Sequence, residues 1–227
     1  MKKIGLNDFI VSKCNKEAFE FCRAFADADS RGSLVSLYGP ERCGKTLLVT
    51  ALENRLKERF PDKAITNFEY MKFFDKISAE FLDVCYCLLS SADVLIIDRF
   101  QLARCDDVVQ GVFAEIASSV LKRGGNVIVV HSCPVSNLKT FFDNVQYASC
   151  CQMLEIKYPD MNLMRKYLTV KQKEFDVKLS AEEEANIVRS RWSGVLSHFK
   201  KLENKRMIQE LIVLFDELFG DIANPWL

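Results

Sequence analysis

The segment GPERCGKT, residues 39–46, limits the fold of this chain more than any other stretch. It matches the pattern G-x-x-x-x-G-K-[ST] in full. It also lies between an apolar run typical of a strand, LVSLY at 34–38, and a helical pattern, TLLVTALENRLKERF at 46–60. In that context the glycines let backbone N–H groups wrap around a phosphate, and the helix N-terminus favours negative charge. The segment therefore predicts a phosphate-binding loop; the alternative is a tight structural turn with an exposed lysine.

Three residues carry the predicted chemistry of this loop. Lys45 supplies a charge that reaches β- and γ-phosphate oxygens, and we expect its side chain to be exposed. Thr46 and Asp98, which ends the apolar run VLIID at 94–98, are the predicted Mg²⁺ ligands; for Asp98 the alternative is an ordinary strand-end carboxylate. ATP or ADP is the expected nucleotide. The loop part of the predicted nucleotide site comprises Gly39, Pro40, Glu41, Arg42, Cys43, Gly44, Lys45, Thr46 and Leu47.

Short apolar runs alternate with helical patterns as far as residue 158, which is the rhythm of a parallel sheet covered by helices on both faces. After Pro159 only helical patterns remain, with Ser180 as an N-cap. We therefore predict an α/β nucleotide-binding subdomain over residues 1–158 and a small all-helical lid subdomain over residues 159–227. The predicted strands are 34–38, 64–68, 94–98, 126–131 and 152–156, and helical patterns cover 46–60, 68–89, 106–122 and parts of 160–219.

The composition excludes several classes of protein. Lys+Arg and Asp+Glu balance at 31 each, so there is no global field that would attract nucleic acid or a membrane surface. No apolar run reaches the length of a signal peptide core or a membrane span, and we expect a cytoplasmic protein without a membrane partner. The 9 cysteines lack the paired spacing of a zinc site and are interpreted as small apolar side chains in a reducing compartment; Cys150 and Cys151 are a candidate for oxidation.

Several stretches resemble, in the same order, the AAA+ ATPase module of the bacterial replication initiator DnaA and of its shorter relative Hda. LNDFIVSKCNKEAF is similar to the family's opening box, which covers adenine and implies that Phe9, Ile10 and Val11 line a base pocket. SLYGPERCGKTLLVTALEN resembles the phosphate loop and helix, and ADVLIIDRFQ resembles the metal strand. NVIVVHSCPV resembles the sensor 1 region, and YPDMNLMRKYLTVKQKEFDVKLSAEE the start of the lid. The resemblance covers residues 6–205 and implies the AAA+ form of the P-loop NTPase fold.

The sequence departs from the family at catalytic positions. Arg99 follows Asp98 where the family has a second acid, and it either pairs with Glu41 or touches the γ-phosphate. The sensor 1 strand ends with His131, followed by serine and cysteine. The segment FFDNVQYASCCQML, residues 141–154, stands where the family has an arginine finger and contains no arginine. Because an arginine finger and a water-orienting group act in the chemical step, the resemblance implies nucleotide binding with little or no hydrolysis.

Further departures concern the lid and the ends of the chain. Val195 occupies the place of the sensor 2 arginine, and nearby His198 either contacts the ligand or packs within the lid. The chain ends at Leu227 without the family's helix-turn-helix domain, and MKKIGLNDFI lacks the QLxL clamp motif of Hda-type proteins. The apolar helix RMIQELIVLFDELF predicts burial on most sides, and the NPWL tail is either a docking peptide or packed on the lid.

The resemblance implies a regulatory or accessory factor in replication initiation, with DnaA, clamp or helicase components as partners. The alternatives are an active DnaA-like ATPase, a helicase-loader ATPase and a small-molecule kinase. Since no arginine finger is available, ATP alone is not expected to drive homo-oligomers. A lid basic patch predicts either a solvated face or contact with DNA or an acidic partner, and it comprises Arg189, Arg191, Lys200, Lys201, Lys205 and Arg206.

Overall fold

The computed structural model describes residues 4–70, 78–146, 148–189 and 191–219, and within the last range it describes the side chains of residues 192–206. Contacts divide the chain into two compact units, Met1–Tyr158 and Pro159–Leu227. The first unit holds a five-stranded sheet in the order β2-β3-β4-β1-β5, in which every neighbouring pair is parallel. The predicted P-loop α/β fold is thereby confirmed. The strands are β1 (Leu34–Tyr38), β2 (Ile65–Glu69), β3 (Val94–Asp98), β4 (Asn126–His131) and β5 (Gln152–Glu155).

Helices cover the sheet on both faces, which explains why the central strands β1, β3 and β4 are buried almost throughout. On β3, Val94 and Ile96 pack in a core with α1 and α2, whereas Leu95 and Ile97 pack in a second core with α3, α4 and α5. The alternation follows from the two-residue period of a strand. The helices are α1 (Lys16–Asp27), α2 (Lys45–Arg59), α3 (Ala79–Leu89), α4 (Asp107–Lys122) and α5 (Lys139–Asn144).

An aromatic cluster fills the core on the α4 side of the sheet. The ring of Phe113 lies 5.2 Å from that of Phe68 and 5.5 Å from that of Phe100, and Phe100 meets Phe141 edge to face at 5.0 Å. Phe100, Phe113 and Phe141 are fully buried. Tilted and edge-to-face pairs at these separations add to the free energy of burial. The cluster therefore anchors the chain segment that follows β3 to α4 and α5.

The boundary of β2 differs from the sequence prediction at a position that matters below. Glu69 is the last residue of β2, paired in register with Asp98, although its sequence pattern had placed it at the start of a helix. Ladder pairing with β3 thus outweighs the local helical period. The residues between Tyr70 and Ser78, which belong to the same predicted helix, lie outside the described residues.

The second unit contains α6 (Met161–Phe175), α7 (Ala181–Arg189) and α8 (Arg191–Phe219). Ser180 caps α7 as predicted, because its hydroxyl accepts from the Glu183 N–H at 3.2 Å while the Glu183 carboxylate accepts from the Ser180 N–H at 2.8 Å. Its own apolar core comprises Met164, Leu168, Val188, Val195 and Phe199.

Two predictions about the end of the chain fall on parts that the structure does not describe. The side chains of the apolar segment at residues 207–219 and the NPWL tail both lie outside the described residues. Within the described ranges, no helix is both long enough and apolar enough to cross a bilayer.

The aromatic cluster generates a prediction for stability. Phe113→Ala removes a fully buried ring that contacts three other rings, so the free energy of unfolding should fall by about 3–5 kcal/mol. Val108→Ala on the same helix is the control, because Val108 is 70% exposed and should change stability by no more than about 0.5 kcal/mol. Urea unfolding of both variants measures the difference. Equal losses in the two variants would contradict the assignment of the core.

Candidate nucleotide site

The glycine-rich loop lies between β1 and α2, and two of its glycines are required by its path. Gly39 has φ 148°, and a Cβ there would lie 1.9 Å from the carbonyl oxygen of Ile156, just beyond β5. Gly44 has φ 99° and directly precedes α2, in a backbone conformation that favours glycine. Arg42 is also left-handed, at φ 59°. Left-handed residues within a tight loop before a helix are typical of loops whose backbone N–H groups bind anions.

Lys45 is placed differently from the sequence expectation, because it is 8% exposed rather than extended into solvent. It is the first residue of α2, and its ammonium group donates to the carbonyl oxygens of Gly39 at 2.8 Å and Pro40 at 2.6 Å. The charge therefore already lies inside the loop, held by two backbone acceptors. A phosphate that enters the loop has to replace these acceptors.

Thr46 and Asp98 are brought together although they are far apart in sequence. The Thr46 hydroxyl donates to Asp98 Oδ2 at 2.8 Å, and the backbone N–H of Arg99 donates to Oδ1 at 2.9 Å. Strand β4 lies between β1, which leads into the loop and α2, and β3, which ends at Asp98. The first turn of α2 therefore reaches across the end of β4 to Asp98. A hydroxyl and a carboxylate are hard oxygen donors of the kind that Mg²⁺ takes alongside water and phosphate oxygens. Thr46 and Asp98 would thus hold the ion that the fold implies.

Asp98 is 2% exposed, and its titration reflects that burial. Desolvation raises the pKa of its carboxyl above the ordinary value of 3.8, and the hydrogen bonds from Thr46 and from the Arg99 N–H act in the opposite direction. The nearby charge of Glu69 also raises this pKa. The charge of Arg99 lowers this pKa, so burial is the main reason that it stays above the ordinary value. A bound cation would compensate the buried carboxylate.

Arg99 lies beside Asp98 but does not pair with Glu41, which was one of the two sequence expectations. Its Nε lies 3.5 Å from Oε1 of Glu69. Arg99 has a left-handed backbone, with φ 60° and ψ 32°, and begins the short 3₁₀ turn Phe100–Ala103. Sequence reasoning missed Glu69, since its helical pattern hid its place at a strand end. Its only sequence signal is that it follows the run AITNF, which was itself predicted as a strand.

His131, at the end of β4, has both ring nitrogens engaged inside the protein. Nδ1 lies 2.8 Å from the carbonyl oxygen of Cys133, which can only accept, so Nδ1 carries the proton. Nε2 lies 2.8 Å from the Ser36 hydroxyl and accepts from it in the neutral ring. Burial lowers the pKa of this fully buried histidine, which keeps the ring neutral. His131 therefore offers no free donor to a phosphate.

The amino-terminal segment predicted to cover the base lies next to the loop. Phe9 stacks on Phe19 with ring centroids 5.8 Å apart, and its ring lies 3.7 Å from the position that a Cβ on Gly44 would take. Ile10 and Val11 follow and are half-buried. The Asn15 amide donates to the Ile10 carbonyl at 3.0 Å and so fixes this segment. Phe9 is thus part of the core that supports the loop.

In the second unit, Val195 is fully buried in the lid's own apolar core. His198 packs edge to face on Phe199 at 5.2 Å, and its buried Nε2 has no hydrogen-bond partner among the described residues. The side chain of Arg191 is not described. The other members of the predicted basic patch are exposed, and they are Arg189, Lys200, Lys201, Lys205 and Arg206.

Comparison with known proteins gives a consistent result. The family model of the bacterial DnaA ATPase domain matches residues 1–149. The chromosomal replication initiator protein DnaA of Campylobacter jejuni is 29% identical over 136 residues, which are 58% of this chain and 31% of that protein. This chain therefore spans about a third of the length of the curated relatives that it matches.

Two solved structures share the fold. The replication initiator DnaA bound to AMPPCP and single-stranded DNA is 19% identical with a TM-score of 0.71, over 100% of this chain and 76% of that one. The DnaC helicase loader is 15% identical with a TM-score of 0.54, over 68% of this chain and 97% of that one. At these identities the likeness concerns the fold alone.

The burial of Asp98 generates a prediction with a defined sign. Because its pKa is raised in the folded protein, the folded state binds this proton more tightly than the unfolded chain, and stability falls as pH rises from 3.8 through the raised pKa. Asp98→Asn removes that penalty and keeps an acceptor for the Arg99 N–H. The melting temperature of the nucleotide-free variant, measured in EDTA, should exceed that of the parent at pH 7, by less as the pH is lowered.

The control is Asp143→Asn, which alters an exposed carboxylate on α5 and should leave the melting temperature nearly unchanged. A lower melting temperature for Asp98→Asn than for the parent at pH 7 would show that the ionised carboxylate stabilises the fold.

Proposed function

Because the chain belongs to the bacterial DnaA ATPase-domain family, we propose that it binds ATP or ADP with Mg²⁺ as a regulatory or accessory factor in replication initiation, with little or no ATP hydrolysis. The proposal rests on a difference between the residues suited to nucleotide binding and those at the positions that serve hydrolysis in the family. The groups proposed to hold a nucleotide are in place, with Lys45 inside the loop and Thr46 hydrogen-bonded to Asp98. The positions that serve hydrolysis in the family hold Arg99, an engaged His131 and a segment without arginine.

Nucleotide binding would use the groups of the loop as follows. The β-phosphate occupies the ring of N–H groups formed by residues 39–46, and Lys45 exchanges its carbonyl acceptors for phosphate oxygens. Thr46 and Asp98 hold Mg²⁺, which offsets phosphate charge when bound. Phe9, Ile10 and Val11 border the base, next to Gly44. The AMPPCP that is bound to the DnaA of similar fold supports this choice of ligand.

Low turnover follows from what the chemical step requires. Phosphoryl transfer needs a group that orients the attacking water and cations that take up charge in the transition state, and an arginine finger alone contributes about 10³–10⁵ in rate. Ground-state binding needs neither. A protein that has kept the first set of groups and lost the second is suited to using the nucleotide as a structural or signalling ligand.

The proposed partners are replication-initiation proteins, namely DnaA and clamp or helicase components, in the cytoplasm. The similarity to DnaA proteins and to a helicase loader supports this class of partner. DNA is a second candidate partner, favoured by the exposed basic residues on α8. An active ATPase of the initiator or loader type is the alternative function, and turnover measurements separate it from the proposal.

Lys45→Ala tests the proposal at its centre. Loss of the ammonium group removes the charge that meets the phosphates, so ATP affinity should fall below detection by calorimetry while the circular dichroism spectrum is retained. Lys57→Ala, which removes an exposed lysine of the same helix, should bind ATP like the parent. In a single-turnover assay with radiolabelled ATP, the parent should convert no more ATP than Lys45→Ala. Equal ATP affinity in the two lysine variants would contradict the assignment of the nucleotide site. Hydrolysis by the parent clearly above that of Lys45→Ala would favour the active ATPase.

Assembly provides an independent prediction. A ring or filament of this fold is made cooperative when an arginine from one subunit enters its neighbour's site, and residues 141–154 contain none. Light scattering of the purified protein with saturating Mg-ATP should therefore give the same mass as with ADP or with no nucleotide. Large assemblies that appear only with ATP would contradict the prediction.

A further inference from the structure

The last residue of β2 contributes an acid to the candidate nucleotide site. Glu69 pairs in register with Asp98, so the two side chains leave neighbouring strands at the same level. Phe68 and Ile97, the residues before them, both point into the core on the α4 side of the sheet. By the alternation of a strand, Glu69 and Asp98 both point to the opposite face, where α2 begins with Lys45 and Thr46.

The two carboxylates are register partners at the ends of adjacent parallel strands, so they lie side by side on one face of the sheet. Glu69 has a side chain that is 25% exposed, so it lies at the mouth of the site rather than in the core. Glu69 thus supplies an acid beside Asp98 from the neighbouring strand, whereas the family supplies its acid from the position after Asp98.

Arg99 occupies the position after Asp98, and its side chain contacts Glu69. Its Nε is 3.5 Å from Glu69 Oε1. Its backbone is left-handed, a conformation that is strained for residues other than glycine. The Arg99 N–H also donates to Asp98, which ties the turn to the metal ligand. The guanidinium group therefore neutralises Glu69 at the edge of the site.

We propose that Glu69 is the water-orienting acid of this nucleotide site and that its ion pair with Arg99 holds it in an inactive state. The proposal rests on the proposed nucleotide binding and gives a physical cause for the low turnover. In the hydrolysis step that the ion pair prevents, the oxygen of a water molecule bonds to the γ-phosphorus as the bond from phosphorus to the bridging oxygen breaks. The electron pair of the broken bond stays with ADP. The Glu69 carboxylate accepts the proton that the water loses and passes it to solvent.

The test compares four variants with the parent. Arg99→Gly removes the guanidinium group and suits the left-handed backbone, so it should fold. Glu69→Gln removes the acid and keeps Arg99. The double variant Arg99→Gly/Glu69→Gln removes both the acid and the guanidinium group. Arg55→Ala is the matched control, because it breaks an exposed arginine–carboxylate pair of similar length, 3.4 Å to Asp27, between α1 and α2. Two quantities are measured for each: single-turnover hydrolysis of ATP, and the ratio of the ATP Kd in EDTA to the ATP Kd in Mg²⁺.

Arg99→Gly should hydrolyse ATP on the order of 10²-fold faster than the parent, the lower end of what a positioned acid or base contributes. The Kd ratio should rise by about tenfold, because two carboxylates without the guanidinium charge repel phosphate until Mg²⁺ is present. The double variant should return to the parent in both quantities. Arg55→Ala should match the parent throughout.

Two results would overturn the inference while leaving nucleotide binding intact. One is an Arg99→Gly protein that binds Mg-ATP like the parent with unchanged hydrolysis and an unchanged Kd ratio. The other is faster hydrolysis that persists in the double variant, which would assign the effect of Arg99 to another group. A parent that binds no nucleotide in either buffer would instead refute the proposed function itself.

Discussion

All five strands of the sheet run parallel, so their carboxyl ends meet at one edge, and the candidate site depends on that constraint. The loop leaves β1, Asp98 ends β3 and Glu69 ends β2, at this same edge. The close approach of Gly39 to the Ile156 carbonyl links the loop to β5 as well. The central strands β1, β3 and β4 are buried on both faces, so none of them can shift by one residue without disrupting the packing of its side chains.

Hydrogen bonds at this edge offset part of the cost of its buried charges. Buried charges are costly unless hydrogen bonds or opposite charges compensate them. Lys45 is compensated by two backbone carbonyls, and Asp98 by the Thr46 hydroxyl and one N–H. In the proposed complex, Lys45 and Thr46 would exchange these partners for phosphate oxygens and the metal ion. The affinity of the proposed complex would depend on the difference in free energy between the two sets of contacts.

The sequence predicted the parts of the site that are local in the chain and missed those that depend on strand pairing. β1 and β3 have the bounds that their apolar runs indicated, and the loop between a strand and a helix could be identified from eight residues. The place of Glu69 could not, because its side chain fits a helical pattern equally well and only the register with Asp98 assigns it to the site. The burial of Lys45 was also missed, since two carbonyl acceptors formed by the turn of the loop are absent from any sequence pattern.

The same distinction between local and distant groups bears on how a binding protein without turnover can arise. The groups proposed to hold the nucleotide are concentrated in one loop and one strand end, and the path of that loop requires Gly39 for its own packing. The groups for the chemical step come from separate segments. Arg99 can change without disturbing the sheet because it lies in a surface turn with its side chain 42% exposed, whereas His131 is fully buried in β4. Since interactions made only in the transition state contribute nothing to ground-state affinity, their loss leaves binding intact. Under the proposed function, a change to arginine at position 99 would therefore remove hydrolysis while the groups that bind the nucleotide stay in place.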